Sequence, residues 1–122
     1  MKKMNPVQQA AFAHEMAAAK SALQPGQAET AQAHLERAHV IGQCHPGPHA
    51  LTHWWMLKIE WQRRHPTAVA GQAIRMVFGA LGSALGAVPI GNTGGSNISM
   101  FKRLPVDPEL QAIIDGKSPA KK

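Results

Sequence analysis

The sequence predicts an all-α protein with four main antiparallel helices, a Gly-rich loop and a short C-terminal helix. Two central stretches carry apolar residues at helical spacing, and proline or glycine separates successive stretches. The connections between these stretches are short, which favours neighbouring helices that turn back on each other. A chain of 122 residues suits one domain. We therefore predict a single helical domain over residues 1–116 and a disordered basic tail over residues 117–122.

The first two helices have clear sequence boundaries. Asn5-Pro6 predicts a helix start, because asparagine caps helix N-termini and proline fits the first helical position. This helix is predicted to reach Leu23, since Pro25-Gly26 follows it. The second helix is predicted over about residues 27–43. Small residues at regular spacing in both helices resemble a tetratricopeptide unit, in which two helices approach closely.

The third helix is predicted to follow a tight connection over residues 44–48. Two prolines and a glycine in this segment indicate that no helix continues through it. The third helix is therefore predicted from His49 to about Arg64. Its predicted core stripe consists of Ala50, Trp54, Leu57 and Trp61.

The fourth helix is predicted from His65-Pro66 to about Gly86. Residues 76–91 carry no charge, yet Arg75 and Pro89 leave fewer than the roughly 20 apolar residues that a membrane span needs. We therefore predict no transmembrane segment. A buried central helix is the expected role, and the alternative is that this apolar segment meets a protein partner or a second copy of the chain.

The end of the chain is predicted to be mostly loop. Asparagine and glycine in residues 91–97 favour a structural turn with left-handed residues, and anion binding by the backbone amides is the weaker alternative. Asp107-Pro108 then predicts the start of a short last helix that ends near Asp115.

Charge and cysteine content narrow the classes of function. The net charge is +6, but five lysines lie near the chain ends and the other basic residues are scattered, so specific nucleic-acid binding is not expected. The single Cys44 cannot form an intrachain disulfide. No apolar run follows the basic N-terminus, so no signal peptide is expected and a cytoplasmic location is predicted.

Histidines are the main chemical signal, because five of the seven lie between residues 34 and 53. If successive helices turn back near residues 25 and 46, four of the seven converge at one end of the helices. The predicted ligands are His14, His39, His49 and His53. His49 and His53 are four residues apart, so both imidazoles project from one helix face. Imidazole-rich sites suit zinc, copper or nickel.

Two further side chains are predicted to assist this site, whereas a di-iron site and a zinc-peptidase site are disfavoured. Glu36 precedes His39 by three residues, and Cys44 supplies a soft sulfur ligand. The Glu-x-x-His pair occurs once, whereas di-iron bundles use it twice. Zinc peptidases use His-Glu-x-x-His, and the corresponding glutamate is missing from His49–His53. Enzymatic activity is left open, with the balance against it.

Four blocks of sequence resemble a known family. They are Ala-Phe-x-His-Glu at residues 11–15, His-Leu-Glu-Arg-Ala-His-x-x-Gly-Gln at 34–43, His-x-x-x-His-Trp-x-Met-Leu at 49–57 and Gly-x-x-Pro-x-Gly-Asn-Thr-Gly-Gly at 86–95. Together they resemble a family of small bacterial proteins classed as a domain of unknown function. The family is often met in heavy-metal resistance gene clusters, and this resemblance implies a role in metal handling.

Two functions fit these observations. The first is a small histidine-rich protein that binds a transition-metal ion for buffering, sensing or transfer. The alternative is a metal-free, tetratricopeptide-like protein-interaction module, in which the histidines form hydrogen bonds inside the helix packing and residues 76–91 meet a partner.

Overall fold

Five helices form the framework of residues 3–117. The computed structural model describes residues 3–117, so the predicted tail lies outside the described residues except for Lys117. The helices are α1 (Pro6–Leu23), α2 (Ala28–Gly42), α3 (Pro46–Gln62), α4 (Pro66–Leu85) and α5 (Pro108–Ile114). No strand occurs within residues 3–117, and the predicted all-helical class is confirmed.

Local sequence explains where several helices begin and end. The Asn5 side chain accepts a hydrogen bond from the Gln8 amide at 2.8 Å, and the Gln8 side chain accepts one from the Asn5 amide at 3.2 Å. This reciprocal pair satisfies two amides that the first turn of α1 leaves without helical partners. At the other end of the protein, Asp107 accepts from the Glu109 amide at 2.9 Å and caps α5. Gly86 ends α4 in the left-handed region, at φ 73°.

The start of α3 corrects the predicted connection over residues 44–48. α3 begins at Pro46, and its first turn contains both Pro46 and Pro48. The first four amides of a helix have no partner within the helix, so proline loses no hydrogen bond there. His45 precedes the helix and accepts from the His49 amide at 2.9 Å. The two prolines therefore start the helix instead of delaying it.

α2 packs against both α1 and α3, α3 packs against α4, and α5 packs on α1 and α2. The main apolar core lies among α1, α2, α3 and α5. Its buried members include Phe12, Met16, Leu35, Ile41, Met56, Ile59 and Leu110. Glu15 in α1 also links the helices, because its carboxylate lies 2.8 Å from His34 Nδ1 and 3.1 Å from Arg37 Nε, both in α2.

The buried face of α3 differs from the predicted stripe. Trp54 and Trp61 are 43% and 73% exposed, so both tryptophans lie largely outside the core. The face that α3 buries consists of His49, Thr52, His53, Met56, Ile59 and Glu60. Four of these six side chains are polar, so a pattern based on apolar residues assigned the buried face to the wrong side of the helix.

α4 also differs from prediction, because it is not a buried central helix. Its buried residues are Gln72 and Ser83. Its exposed large apolar side chains are Ile74, Val77, Phe78, Leu81 and Leu85. Among the described residues, α4 alone is long and apolar enough to cross a membrane by length and composition, which by itself is weak evidence for a span. α4 therefore turns its polar residues inward and its apolar residues outward.

Candidate metal centre

Three buried histidines meet where α2, α3 and α4 come together. His39 lies in the last turn of α2, while His49 and His53 lie one turn apart in α3. Each of the three is 2–3% exposed. One ring nitrogen from each lies within 4.8 Å of the other two, and His39 Nε2 lies 3.1 Å from His53 Nε2. Of the His, Cys, Asp and Glu residues in the described chain, only these three form such a group.

Protein acceptors fix the orientation of His39 and His53. His39 Nδ1 lies 2.7 Å from the Asn92 carbonyl oxygen, which can only accept. His53 Nδ1 lies 2.7 Å from Gln72 Oε1, while Gln72 Nε2 donates to the Gly94 carbonyl at 3.0 Å. The bond to Gly94 fixes the Gln72 amide, so its oxygen faces His53. Both histidines therefore carry their hydrogen on Nδ1.

His49 reaches the same tautomer through a serine hydroxyl. Ser83 Oγ donates to the Gln43 carbonyl oxygen at 2.6 Å, which uses its one hydrogen. His49 Nδ1 lies 2.7 Å from Ser83 Oγ and must supply the hydrogen of that bond. All three Nδ1 atoms are thus donors, and each neutral ring presents the lone pair of its Nε2 atom.

Converging Nε2 lone pairs suit a metal ion. Two neutral imidazoles that both act as acceptors cannot form a hydrogen bond with each other, so the 3.1 Å contact between His39 and His53 is favourable only with a cation or proton between the rings. Imidazole nitrogens bound to one tetrahedral zinc ion at about 2.0–2.1 Å lie about 3.3–3.4 Å apart. Acceptors on the second ring nitrogen are also typical of metal-bound histidines, because they fix the tautomer and the ring orientation.

Burial keeps these rings neutral. Desolvation lowers the pKa of His49 to about 4, and the nearby backbone of Gly79 and Gln43 opposes part of this shift. Desolvation also lowers the pKa of His53 to about 4, and the hydrogen bond that its Nδ1 atom donates to Gln72 opposes part of this shift. The pKa of His39 is likewise well below its ordinary value because of burial, with the nearby His53 and His49 adding to the effect. Near neutral pH a metal ion would therefore displace no proton from the three Nε2 atoms.

Two glycines provide room for the rings. A Cβ atom at Gly79 in α4 would lie 2.8 Å from His49 Nε2. A Cβ atom at Gly94 would lie 2.5 Å from His39 Cδ2, and the Gly94 backbone has a φ of 80°. Any larger residue at either position would push against a histidine ring.

Hydrogen bonds hold the loop that follows α4 against the triad. Arg75 donates to the carbonyl oxygens of Gly94, Gly95 and Ile98. Gln43 Nε2 donates to the Pro89 carbonyl at 2.8 Å. The residues with positive φ in this loop are glycines and none is an asparagine, which corrects part of the predicted turn. The loop holds the Asn92 carbonyl in position against His39.

The other predicted ligands lie elsewhere. His14 is exposed on α1. Glu36 is half-buried on α2, where it accepts from Gln32 at 3.1 Å and borders a separate surface pocket. Cys44 is exposed, and partial burial of its sulfur raises the pKa of the thiol, which disfavours the thiolate that binds metals. The structure thus brings together three of the four predicted histidines. His14, Glu36 and Cys44 are not part of this group.

Sequence reasoning missed the residues that orient the rings. Gln72, Arg75, Gly79 and Ser83 follow the spacing i, i+3, i+7 and i+11, which places them on one face of α4. A stripe of polar and small residues on an otherwise apolar helix could have identified this face as the buried one. Asn92 contributes its backbone carbonyl, which no side-chain pattern reveals.

A pocket of about 550 Å³ opens beside the triad. The three histidines, Gln43, Arg75, Asn92 and Gly94 form its polar part. Its apolar walls come mainly from α4 and the loop after it, and they include Ile74, Phe78, Leu81, Leu85, Met100 and Phe101. No aspartate or glutamate of the described chain lines it. The triad is therefore buried on the protein side and borders a concave, apolar space on the other.

Comparisons with known proteins place the chain at the level of a family. No curated protein and no solved structure matches it significantly. The sequence model of one family, described as a protein of unknown function (DUF3703), matches residues 6–114 and so covers the described helices and the histidine triad. The chain therefore belongs to this family of unknown function.

Proposed function

We propose that the protein binds one transition-metal ion through the Nε2 atoms of His39, His49 and His53. One observation carries this proposal: each ring donates from Nδ1 to an acceptor within the protein, so three Nε2 lone pairs converge in a buried space. Zinc, copper and nickel all accept imidazole nitrogen ligands. The proposed role is buffering, sensing or transfer of the ion.

The ligand set supports a neutral, three-coordinate protein site. No carboxylate or thiolate of residues 3–117 belongs to the group of ligand atoms within 4.8 Å, so a bound divalent ion would keep its full charge. Zinc sites with three protein ligands usually keep a further position open to an external molecule, whereas structural zinc sites use four. An open position suits an ion that must exchange with other ligands, as buffering or transfer requires.

The second candidate function is a metal-free, tetratricopeptide-like interaction module. The exposed apolar side chains of α4 favour it, because large contiguous apolar surfaces often mark interaction sites. In that case the three histidines would serve the helix packing through the hydrogen bonds of their Nδ1 atoms.

Elemental analysis and native mass spectrometry separate the two candidates. We expect untagged protein, purified without chelator or loaded with zinc, copper or nickel, to carry one ion per chain. The H49Q/H53Q variant should lose this ion while circular dichroism still shows a helical fold. The matched control is H14Q/H45Q, which replaces two histidines outside the triad and should keep the ion. A wild-type protein that binds none of the three metals would refute the metal site and favour the interaction module.

A further inference from the structure

A divalent ion held by the triad would carry a charge that its three ligands do not neutralise, and the inference from this charge rests on the proposed function. Three neutral imidazoles leave a bound divalent ion with its double positive charge. Arg75 also lines the pocket, and its charge lies near enough to lower the pKa of both His39 and His53. No acidic side chain of the described chain lines the same space. A buried charge without a counter-ion is costly, so the loaded site demands an anion.

The pocket reaches the triad, because all three histidines line it. An ion held by the three Nε2 atoms would therefore face the pocket. An anion in the pocket can therefore bind the ion directly as a fourth ligand.

The apolar pocket walls favour an anion whose remaining part is also apolar. Phe78, Leu81, Leu85 and Phe101 line the pocket, yet they are 57%, 53%, 73% and 78% exposed. Small-molecule sites commonly have about 300–1,000 Å³, mostly apolar walls and a few polar groups that fix the orientation of the ligand. A pocket of about 550 Å³ falls within this range. A hydrocarbon body would remove these side chains from water.

We propose that the pocket binds a monocarboxylate with a hydrocarbon body. Its carboxylate completes the coordination of the ion at His39, His49 and His53, and its hydrocarbon body lies against the apolar side chains of α4 and Phe101. The protein would then bind the metal ion and an organic anion as a ternary complex, and each would raise the affinity for the other.

A homologous series of carboxylates tests this proposal. Protein loaded with Co²⁺ is titrated with acetate, butyrate, hexanoate and octanoate at pH 7, and the visible absorption of Co²⁺ reports each ligand that reaches the ion. Burial of each methylene is expected to tighten the Kd about threefold to fourfold. Octanoate should therefore bind more than a hundredfold tighter than acetate, and octanol, which lacks the charge, should leave the spectrum unchanged.

Matched leucine variants locate the binding surface. L81A removes a side chain of the pocket wall and should weaken octanoate about fivefold, with acetate unchanged. L51A removes an exposed leucine of α3 that does not line the pocket, and it should change neither Kd. Equal effects of both variants would refute the assigned surface.

The outcomes separate this proposal from the metal site itself. Elemental analysis of the same samples measures metal content independently. Failure to take up Co²⁺, zinc, copper or nickel would refute the proposed function. Full metal content with equal Kd values for acetate and octanoate would refute the pocket proposal alone. Tight octanoate binding by H49Q/H53Q, measured by calorimetry, would refute coordination by the carboxylate. A metal-loaded dimer with no octanoate response would refute it too and assign the α4 face to a second copy of the chain.

Discussion

The α1–α2 pair and α4 distribute their side chains in opposite ways. α1 and α2 bury large apolar residues such as Phe12, Met16 and Leu35 in a conventional core. α4 buries Gln72 and Ser83, and it exposes its large apolar side chains. The first arrangement gains stability by removing apolar surface from water. The second gives up that gain and instead supplies acceptors to two histidine rings.

α4 departs from the usual pattern, in which apolar side chains are buried and polar side chains are exposed. A helix that buries polar side chains and exposes apolar ones opposes the usual burial preference of each residue type. Such conflicts concentrate at functional sites. The polar groups that α4 buries are satisfied, because Gln72 and Ser83 each bond a histidine. The arrangement therefore links the unusual face of α4 to the triad.

The largest predicted effect concerns the free energy of unfolding of the metal-free protein, which should depend on pH through the buried histidines. The folded-state pKa values of His49 and His53 are about 4, below the ordinary value of 6.5, so the unfolded chain binds more protons between these pH values. The stability that the neutral rings contribute is present above pH 6.5 and is lost as the pH falls toward 4. A tenfold difference in proton affinity between the folded and unfolded chain is worth about 1.4 kcal/mol, so the free energy of unfolding should fall by several kcal/mol.

Urea unfolding of metal-free protein at a series of pH values measures this loss. The H39Q/H49Q/H53Q variant removes the three buried imidazoles and should show a much shallower pH dependence over the same range. The H14Q/H45Q variant should keep the steep dependence of the wild type. A wild-type free energy of unfolding that stays constant from pH 6.5 to 4 would contradict the assignment of buried, neutral rings.

Two leucine truncations compare the apolar core with the exposed face of α4. Leu35 is 1% exposed in the core, and L35A should cost about 2–5 kcal/mol of unfolding free energy because it leaves a cavity. Leu81 is exposed, and L81A should stay within about 0.5 kcal/mol of the wild type. Chemical denaturation of the metal-free variants gives both values. A large loss for L81A would mean that another molecule covers the α4 face in solution.

The smallest effects come from two glycines of α4 that differ in their surroundings. A Cβ atom at Gly79 meets the His49 ring, so G79A should cost about 1–3 kcal/mol and lower the metal content. A Cβ atom at Gly71 meets nothing within 4 Å, so G71A should stabilise the helix by up to about 1 kcal/mol. Thermal unfolding combined with elemental analysis checks the pair. Similar behaviour of both variants would show that α4 does not press against His49.

Much of the fold could be predicted from sequence because its signals are local. The start at Asn5-Pro6 and the end of α1 at Leu23 are confirmed, since caps and helix-breaking residues act on their immediate neighbours. The start of α3 was misplaced, because proline both stops one helix and begins another. The choice between these effects depends on whether the next residues can continue the helix.

Part of the candidate site could also be predicted, because three of its histidines lie close together in the sequence. His39, His49 and His53 lie close to the turn between α2 and α3, so helix geometry alone brings them near each other. His14 lies on α1, and its orientation depends on how α1 packs, which no local pattern specifies. α3 was assigned the wrong buried face and α4 was expected to be a buried helix, because the prediction equated buried residues with apolar ones.

The helix order, most of the helix ends and the clustering of three histidines around one turn can be derived from the amino-acid sequence alone. These follow from backbone geometry, capping and the rise of an α-helix along the chain. The histidine tautomers, the inward polar face of α4 and the pocket beside the triad arise instead from tertiary packing. Each of these depends on contacts between segments far apart in sequence, such as His49 with Ser83 and His39 with Asn92. A hydrogen bond forms only when packing brings its two partners to the correct distance and angle.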